Sequence, residues 1–279
     1  QAKTLFPYTT LFRSEPALLA AQAQLAQAWP RADGLLRGTP LRLAPRAWGA
    51  AVPAGARVVA TGVLVDGGRS ALVPAAALAA MAEPSAASTA PQGGGPGATA
   101  ALWLRNGLGQ TVRAWRDGSA EAHGLVALRL DPSLPAPTWT AAPRPPFGGS
   151  PAALVEYAAD DGTVGQDDAT STTPDNAAWP LLHQGFIGRL PARPGPRPLG
   201  LVAPAGPRGG PVLDAQGRLA GIALREADGR DTLLDLGLLQ PAFAALLPVA
   251  AGSAAVPAAE LDRVYERALP ATLQVLVAR

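Results

Sequence analysis

Short segments rich in β-branched residues recur along most of this chain, and they constrain its fold more than any other feature. The segments RVVATGVLVDGG (57–68) and RSALVPAAAL (69–78) meet at a Gly-Gly turn, which is typical of a β-hairpin. Three more, ALWLRNG, QTVRAWRDG and GLVALRL, follow between residues 101 and 130, with Asn-Gly and Asp-Gly turns between them. Many short strands with turn signals about every 8 to 12 residues predict an all-β barrel or sandwich.

A Pro- and Gly-rich segment, AAPRPPFGGSP (141–151), divides these strands into two groups. We expect one unit at 58–140, a linker at 141–150 and a second unit at 151–248. The second unit begins with the strand PAALVEYA and continues with HQGFIGRL, RPLGLVAP, GGPVLD and RLAGIALRE. Residues 15–57 would supply a helix, at 17–28, and a lead-in to the first unit. Residues 249–279 would supply a linker, a helix ending at Pro270 and a final strand.

The first 14 residues are set aside as non-native, because TLFPYTTLFRS (4–14) resembles a translated sequencing adapter. The native start would then be missing, and the compartment stays open. Removing Lys3 and Arg13 from the 23 basic residues leaves 21, equal to the 21 acidic residues. The remaining net charge is therefore about zero and gives no indication of nucleic acid as a partner.

The composition also restricts the chemistry that the chain can perform. It has no cysteine, so it has neither disulfides nor a thiol nucleophile. Its two histidines, His123 and His183, are too few and too isolated to indicate a metal cluster. No apolar run reaches the roughly 18 residues that cross a bilayer. We therefore expect no metal, no cofactor and no membrane span.

Three blocks of sequence, in one order, resemble the trypsin-like serine proteases of the bacterial HtrA type. GVLVDGGRSALVPAAAL (62–78) is similar to the hairpin and turn that carry the catalytic histidine, and HGLVALRL (123–130) to the segment of the catalytic aspartate. HQGFIGRL with AGPRGGPVLDAQGRLAGI (205–222) is similar to a second-barrel strand, the nucleophile loop and the following hairpin. The resemblance implies an all-β fold, a trypsin-like double β-barrel with short flanking helices. It also implies an exported or periplasmic location.

The same resemblance places the three catalytic positions on residues that cannot perform the chemistry. The histidine position falls on Ala76, between two further alanines, the aspartate position on Gly124 and the serine position on Arg208. Acyl transfer needs a nucleophilic hydroxyl, an imidazole base and a carboxylate that orients the base. A guanidinium, which stays protonated at neutral pH, is no nucleophile. The chain is therefore expected to be a pseudoprotease.

The backbone of the nucleophile loop is a separate candidate site. In the family, amides of this loop form the oxyanion hole, and here the loop comprises Gly206, Pro207, Arg208, Gly209 and Gly210. One hypothesis is that it still holds a carboxylate, from a peptide end or from an Asp or Glu. The other is that Arg208 fills the cleft or pairs with an acid of the polar loop at 160–168.

The C-terminal segment 259–279 resembles the helix and strand that open an HtrA protease domain. One interpretation is a rearranged domain whose opening strand comes from the C-terminal segment, and the other is the start of a second, tandem protease domain. The function expected is binding of peptide or protein, or regulation of an active partner, with the oligomeric state open. The alternatives are an active serine peptidase with displaced groups, for which His123 or His183 would be the base, and a β module without an open cleft.

Overall fold

The computed structural model describes eleven stretches of the chain. They are residues 49–50, 52, 56–82, 102–135, 137, 139–157, 180–188, 195–201, 208–226, 228–248 and 257–277. The chain divides into two units, Gln1–Pro45 and Arg46–Arg279, and the described residues all lie in the second. The helix expected at 17–28 and the polar loop at 160–168 lie outside these residues.

Two closed barrels of six strands each make up the described fold. The first has the strand order β1-β12-β3-β4-β5-β2 and the second the order β10-β11-β8-β7-β6-β9, with antiparallel neighbours throughout. The prediction of an all-β, trypsin-like double barrel with short helices is thereby confirmed. The first-barrel strands are β1 (Arg57–Val65), β2 (Ser70–Pro74), β3 (Leu102–Asn106), β4 (Thr111–Ala122), β5 (Leu125–Asp131) and β12 (Thr272–Val277). The second-barrel strands are β6 (Pro151–Glu156), β7 (Leu181–Ile187), β8 (Arg197–Gly200), β9 (Pro211–Leu213), β10 (Leu219–Arg225) and β11 (Asp231–Asp235).

Among the residues that the structure describes, three short α-helices accompany the barrels: α1 (Ala75–Ala82), α2 (Leu236–Phe243) and α3 (Leu261–Ala268). Helix α1 corrects the sequence prediction, which ran the second strand on through Leu78. The strand ends at Pro74, and the alanine-rich segment after it forms a helix, because alanine has the highest helix propensity. Helix α2 begins at Leu236, because the Asp235 side chain accepts a hydrogen bond from the Leu238 amide and caps it.

Strand alternation gives each barrel an apolar interior. Leu104, Val126 and Val275 lie in the first, and Leu154, Val212 and Leu233 lie in the second. A third cluster joins the barrels, because outer residues of the first barrel such as Leu72 pack with Phe243 of α2. Burying side chains of this size stabilises the fold by about 2 kcal/mol each.

The C-terminal segment connects the two barrels a second time. Strand β12 lies between β1 and β3 in the first barrel, with its residues paired on both sides. Helix α3, only a few residues before it, packs Val264 and Ala268 on the outer face of the second barrel. The strand thus occupies the position expected for a rearranged domain. The domain limits given above stay predictions.

Candidate functional site

Ala76, Gly124 and the residue after Arg208 lie near one another where the two barrels meet. Ala76 lies in the first turn of α1, and the amide of its neighbour Ala75 donates a hydrogen bond to the Gly124 carbonyl (2.8 Å). Gly124 lies in the β4–β5 turn with a φ of 74°, in the left-handed region that favours glycine. Both Ala76 and Gly124 are exposed. An aspartate at position 124 would therefore be strained, in addition to lacking its histidine partner.

The two glycines after Arg208 fix the nucleophile-like loop against both barrels. A Cβ atom at Gly209, whose φ is 126°, would lie 1.9 Å from the Thr61 carbonyl oxygen and 2.7 Å from the Pro74 ring. A Cβ atom at Gly210 would lie 2.2 Å from the Val155 carbonyl oxygen. Glycine is needed at both positions because only a chain without Cβ fits between these groups. Since Pro74 immediately precedes α1, this contact places the loop beside Ala76.

The Arg208 side chain turns into the second barrel and is 2% exposed. Its Nε and Nη2 donate to the two oxygens of Asp231 (2.9 and 2.6 Å), and its Nη1 donates to Glu156 Oε1. Asp231 also accepts two hydrogen bonds from Arg225 (2.9 and 3.1 Å). We call these four residues the arginine–carboxylate network. It joins two guanidinium groups and two carboxylates, and Asp231 accepts hydrogen bonds from both arginines.

Strand register explains why these charges meet. Glu156 lies on the same side of β6 as Leu154, which faces the barrel interior, because alternate residues share a face. Arg225 and Asp231 face each other across β10 and β11. Both lie two residues from interior apolar positions, Ala223 and Leu233. The network therefore fills one end of the second barrel.

Burial and pairing shift the two carboxylates in opposite directions. Burial raises the pKa of the Glu156 carboxyl from 4.5 to about 7, because the desolvation penalty exceeds the attraction of Arg208. Burial acts in the same direction on Asp231, but the hydrogen bonds from Arg208 and Arg225 outweigh it and hold its pKa below the ordinary value. The second oxygen of Glu156, Oε2, is buried without a hydrogen-bond partner. Of the two carboxyl groups in the network, Glu156 is thus the one whose charge is less well compensated.

The structure describes some of the predicted site residues and not others. The acids that pair with Arg208 here are Glu156 and Asp231, and the loop at 160–168, which was the expected source, lies outside the described residues. Gly206 and Pro207 also lie outside them, so the oxyanion-like loop stays a prediction. Sequence reasoning did not single out Glu156, Arg225 or Asp231. A signal was present, since Glu156 is a single acid at an inward position of the apolar strand PAALVEYA.

No alternative catalytic group is assembled in the part of the chain that the structure describes. His123 is exposed in the β4–β5 turn, and neither His123 nor His183 forms a hydrogen bond to a serine or a carboxylate there. The pKa of His183 is lowered, by burial and by the nearby charge of Arg208. Ser70 donates to Asp66 (3.2 Å), not to a histidine. Within the same residues, no three His, Cys, Asp or Glu side chains are grouped as metal ligands, and no helix has the length and hydropathy to cross a membrane.

No family model matches the sequence, and no curated protein matches it. Among solved structures, the chain is similar to the serine endoprotease from Yersinia pestis, with a TM-score of 0.43 and 14% sequence identity. The match covers 64% of this chain and 54% of that one. The chain therefore spans about half the length of that protein.

Proposed function

We propose that this chain is a catalytically inactive protein of the trypsin-like, HtrA type, which binds a peptide or a protein or regulates an active partner. The observation that carries this proposal is the state of Arg208. The residue at the nucleophile position is a buried guanidinium paired to two carboxylates, and it has no hydroxyl to attack a carbonyl.

The two other catalytic positions support the proposal independently. Ala76 carries no group that accepts a proton, and Gly124 carries no side chain to orient a base. Loss of a single member of a catalytic triad leaves residual acceleration of about 10³- to 10⁴-fold over water. With all three lost, we expect no measurable turnover.

What remains is a surface between two barrels, at which a ligand would meet Ala76, Gly124 and the end of β10. Leu224 of β10 lies opposite Gly124, since a Cβ atom there would be 3.5 Å from Leu224 Cδ1. Ala76 and Gly124 are exposed and small, so they leave room for a bound chain at this surface. Binding without hydrolysis is the function that this surface supports best.

A fluorophosphonate probe that reacts with activated serines tests the inactive state. The full chain and an Arg208→Ser variant are treated with the probe, with active trypsin as the positive control. We expect trypsin alone to be labelled, because the serine of the variant would have no base at position 76. Labelling of the unaltered chain would overturn the proposal in favour of an active peptidase with displaced groups.

A further inference from the structure

The outer face of β4 and β5 in the first barrel carries an exposed tryptophan. Ala114 and Leu128 are buried in the barrel interior, and the residues that alternate with them point outward, because successive side chains of a strand lie on opposite faces. Trp115 is one of these outward residues and is 41% exposed. Tryptophan is enriched among the residues that contribute most to the binding energy of protein interfaces. This face is therefore a candidate interaction surface.

Two exposed arginines adjoin Trp115 on the same face. Arg129 lies directly opposite it on β5, and Arg113 lies two residues before it on β4. Side chains at such positions begin about 5 and 7 Å from their neighbour, so both guanidinium groups lie within reach of the indole ring. We call Arg113, Trp115 and Arg129 the outer patch.

The acids of these two strands do not balance the arginines. Asp131 lies opposite Arg113, but these two residues, both of which the structure describes as exposed, form no ion pair with each other. Glu121 is paired with Arg116. Among the described residues, the outer patch therefore carries two positive charges beside the one negative charge of Asp131. Such a surface attracts a partner of opposite charge.

The spacing of the two arginines limits which acidic ligand fits. Arg113 and Arg129 are diagonal neighbours, because the residue paired with Arg113 is Asp131, two positions after Arg129. Diagonal neighbours on adjacent strands lie about 7 to 8 Å apart. In an extended segment, side chains two residues apart share one face and are also about 7 Å apart. Two carboxylates at that spacing would each meet one guanidinium, and the indole ring would cover their methylene groups.

We propose that the outer patch is a docking surface for a protein partner that presents an extended acidic segment, with two carboxylates two residues apart. The inference goes beyond the proposed function, because it concerns a second surface. Arg129 lies five residues beyond Gly124 along the chain, on the outer side of the first barrel, whereas the surface between the barrels begins at the Gly124 turn. Binding at one surface does not require binding at the other.

The test compares three pentapeptides with capped ends, SEVES, SVEES and SQVQS, and a single-stranded oligonucleotide of five thymidines. SEVES has its carboxylates two residues apart, SVEES has the same composition with adjacent carboxylates, and SQVQS is neutral. Each probe is titrated into the full chain while the indole Nε1–H resonances are followed by NMR. The Trp115 resonance is the one that is missing from a Trp115→Phe variant.

Three further variants complete the experiment. Arg113→Gln removes one cation of the outer patch, and Asp131→Asn removes its acid. Arg263→Gln is the matched control, because Arg263 is an exposed arginine of α3 whose contact with Glu260 is 3.7 Å long.

We expect SEVES to shift the Trp115 resonance and to bind about threefold more tightly than SVEES, with no shift from SQVQS. Its binding should weaken about threefold in Arg113→Gln, strengthen in Asp131→Asn and stay unchanged in Arg263→Gln. Equal binding of the three peptides, equal losses in the two arginine variants, or no binding at all would overturn the inference. Tighter binding of the oligonucleotide would overturn it in favour of nucleic acid. None of these results bears on the proposed function, which the fluorophosphonate probe tests.

Discussion

At the scale of single residues, Glu156 is a buried carboxyl group whose charge is only partly compensated by its neighbours. Its Oε1 accepts from Arg208, while its Oε2 is buried without a partner. An isolated buried carboxylate would take up a proton, and one adjacent guanidinium only partly prevents this. The pKa of about 7 places the proton uptake of Glu156 close to neutral pH.

A pH dependence of stability follows from this residue. The folded-state pKa is above the unfolded value of 4.5, so the contribution of Glu156 is fully present below about pH 4.5 and is lost as the pH rises through 7. We expect the free energy of unfolding, relative to a Glu156→Gln variant, to fall by about 3 kcal/mol between pH 4.5 and 8. Urea denaturation of both proteins at the two pH values measures this. An identical pH dependence in the two proteins would contradict it.

The partners of Arg208 could not be predicted from the sequence. The motif GPRGGPVL predicts that Arg208 stands at the nucleophile position, and this stays a prediction, although Gly209 lies against Pro74, close to Ala76. Glu156 lies 52 residues before Arg208 and Asp231 lies 23 residues after it. Which of many acids faces the barrel interior depends on strand register, and a shift of one residue would turn it outward.

At the scale of elements, the loop between Arg208 and β9 depends on the absence of side chains. Gly209 and Gly229 both have a positive φ, of 126° and 82°. They differ in space, because a Cβ atom at Gly229 would have no heavy atom within 4 Å, whereas one at Gly209 would meet the Thr61 carbonyl. Comparing the same substitution at Gly209 and Gly229 therefore separates the cost of backbone strain, which both share, from the cost of a steric clash, which only Gly209 has.

We expect Gly209→Ala to lower the free energy of unfolding by more than about 3 kcal/mol, and Gly229→Ala to lower it by about 1 kcal/mol. The larger cost arises because the loop must move away from the first barrel to accommodate the methyl group. Thermal denaturation of the two variants beside the unaltered chain measures the difference. Equal losses of stability in the two variants would show that the loop moves freely to accommodate the methyl group.

The elements were predicted from sequence where a local signal determined them. The hairpin of β1 and β2 was predicted from the Gly-Gly turn and is confirmed, because Gly67 and Gly68 both have positive φ. Reading residues 75–78 as part of the second strand was wrong, because an alanine-rich segment next to a strand fits either pattern. The cap of α2 depends on a single side chain, Asp235, which also pairs with Arg197 (2.6 Å) in the barrel.

At the scale of the whole molecule, the two barrels form one cooperative body through the C-terminal segment. Leu273 of β12 is fully buried in the first barrel, and α3, just before it, is packed on the second. The shared cluster around Phe243 adds a second apolar contact between them. Loss of packing in one barrel is therefore expected to reach the other.

We expect Leu273→Ala to lower the free energy of unfolding by about 3 kcal/mol and to leave a single unfolding transition. Hydrogen exchange should rise in β10 and β11 of the second barrel as well as in β12. Glu266→Ala, an exposed change on α3, serves as the control and should alter neither. Unchanged protection of β10 and β11 would show that the barrels unfold separately.

The pairing of β1 with β12 also determines how this molecule would respond to tension. Arg57, the first residue of β1, lies opposite Val277, the last residue of β12. A force that separates these two residues would load the hydrogen-bonded pairs one after another, as a zipper opens, and would not shear the whole strand at once. The first barrel would therefore open at low force, beginning at this edge, and expose its interior.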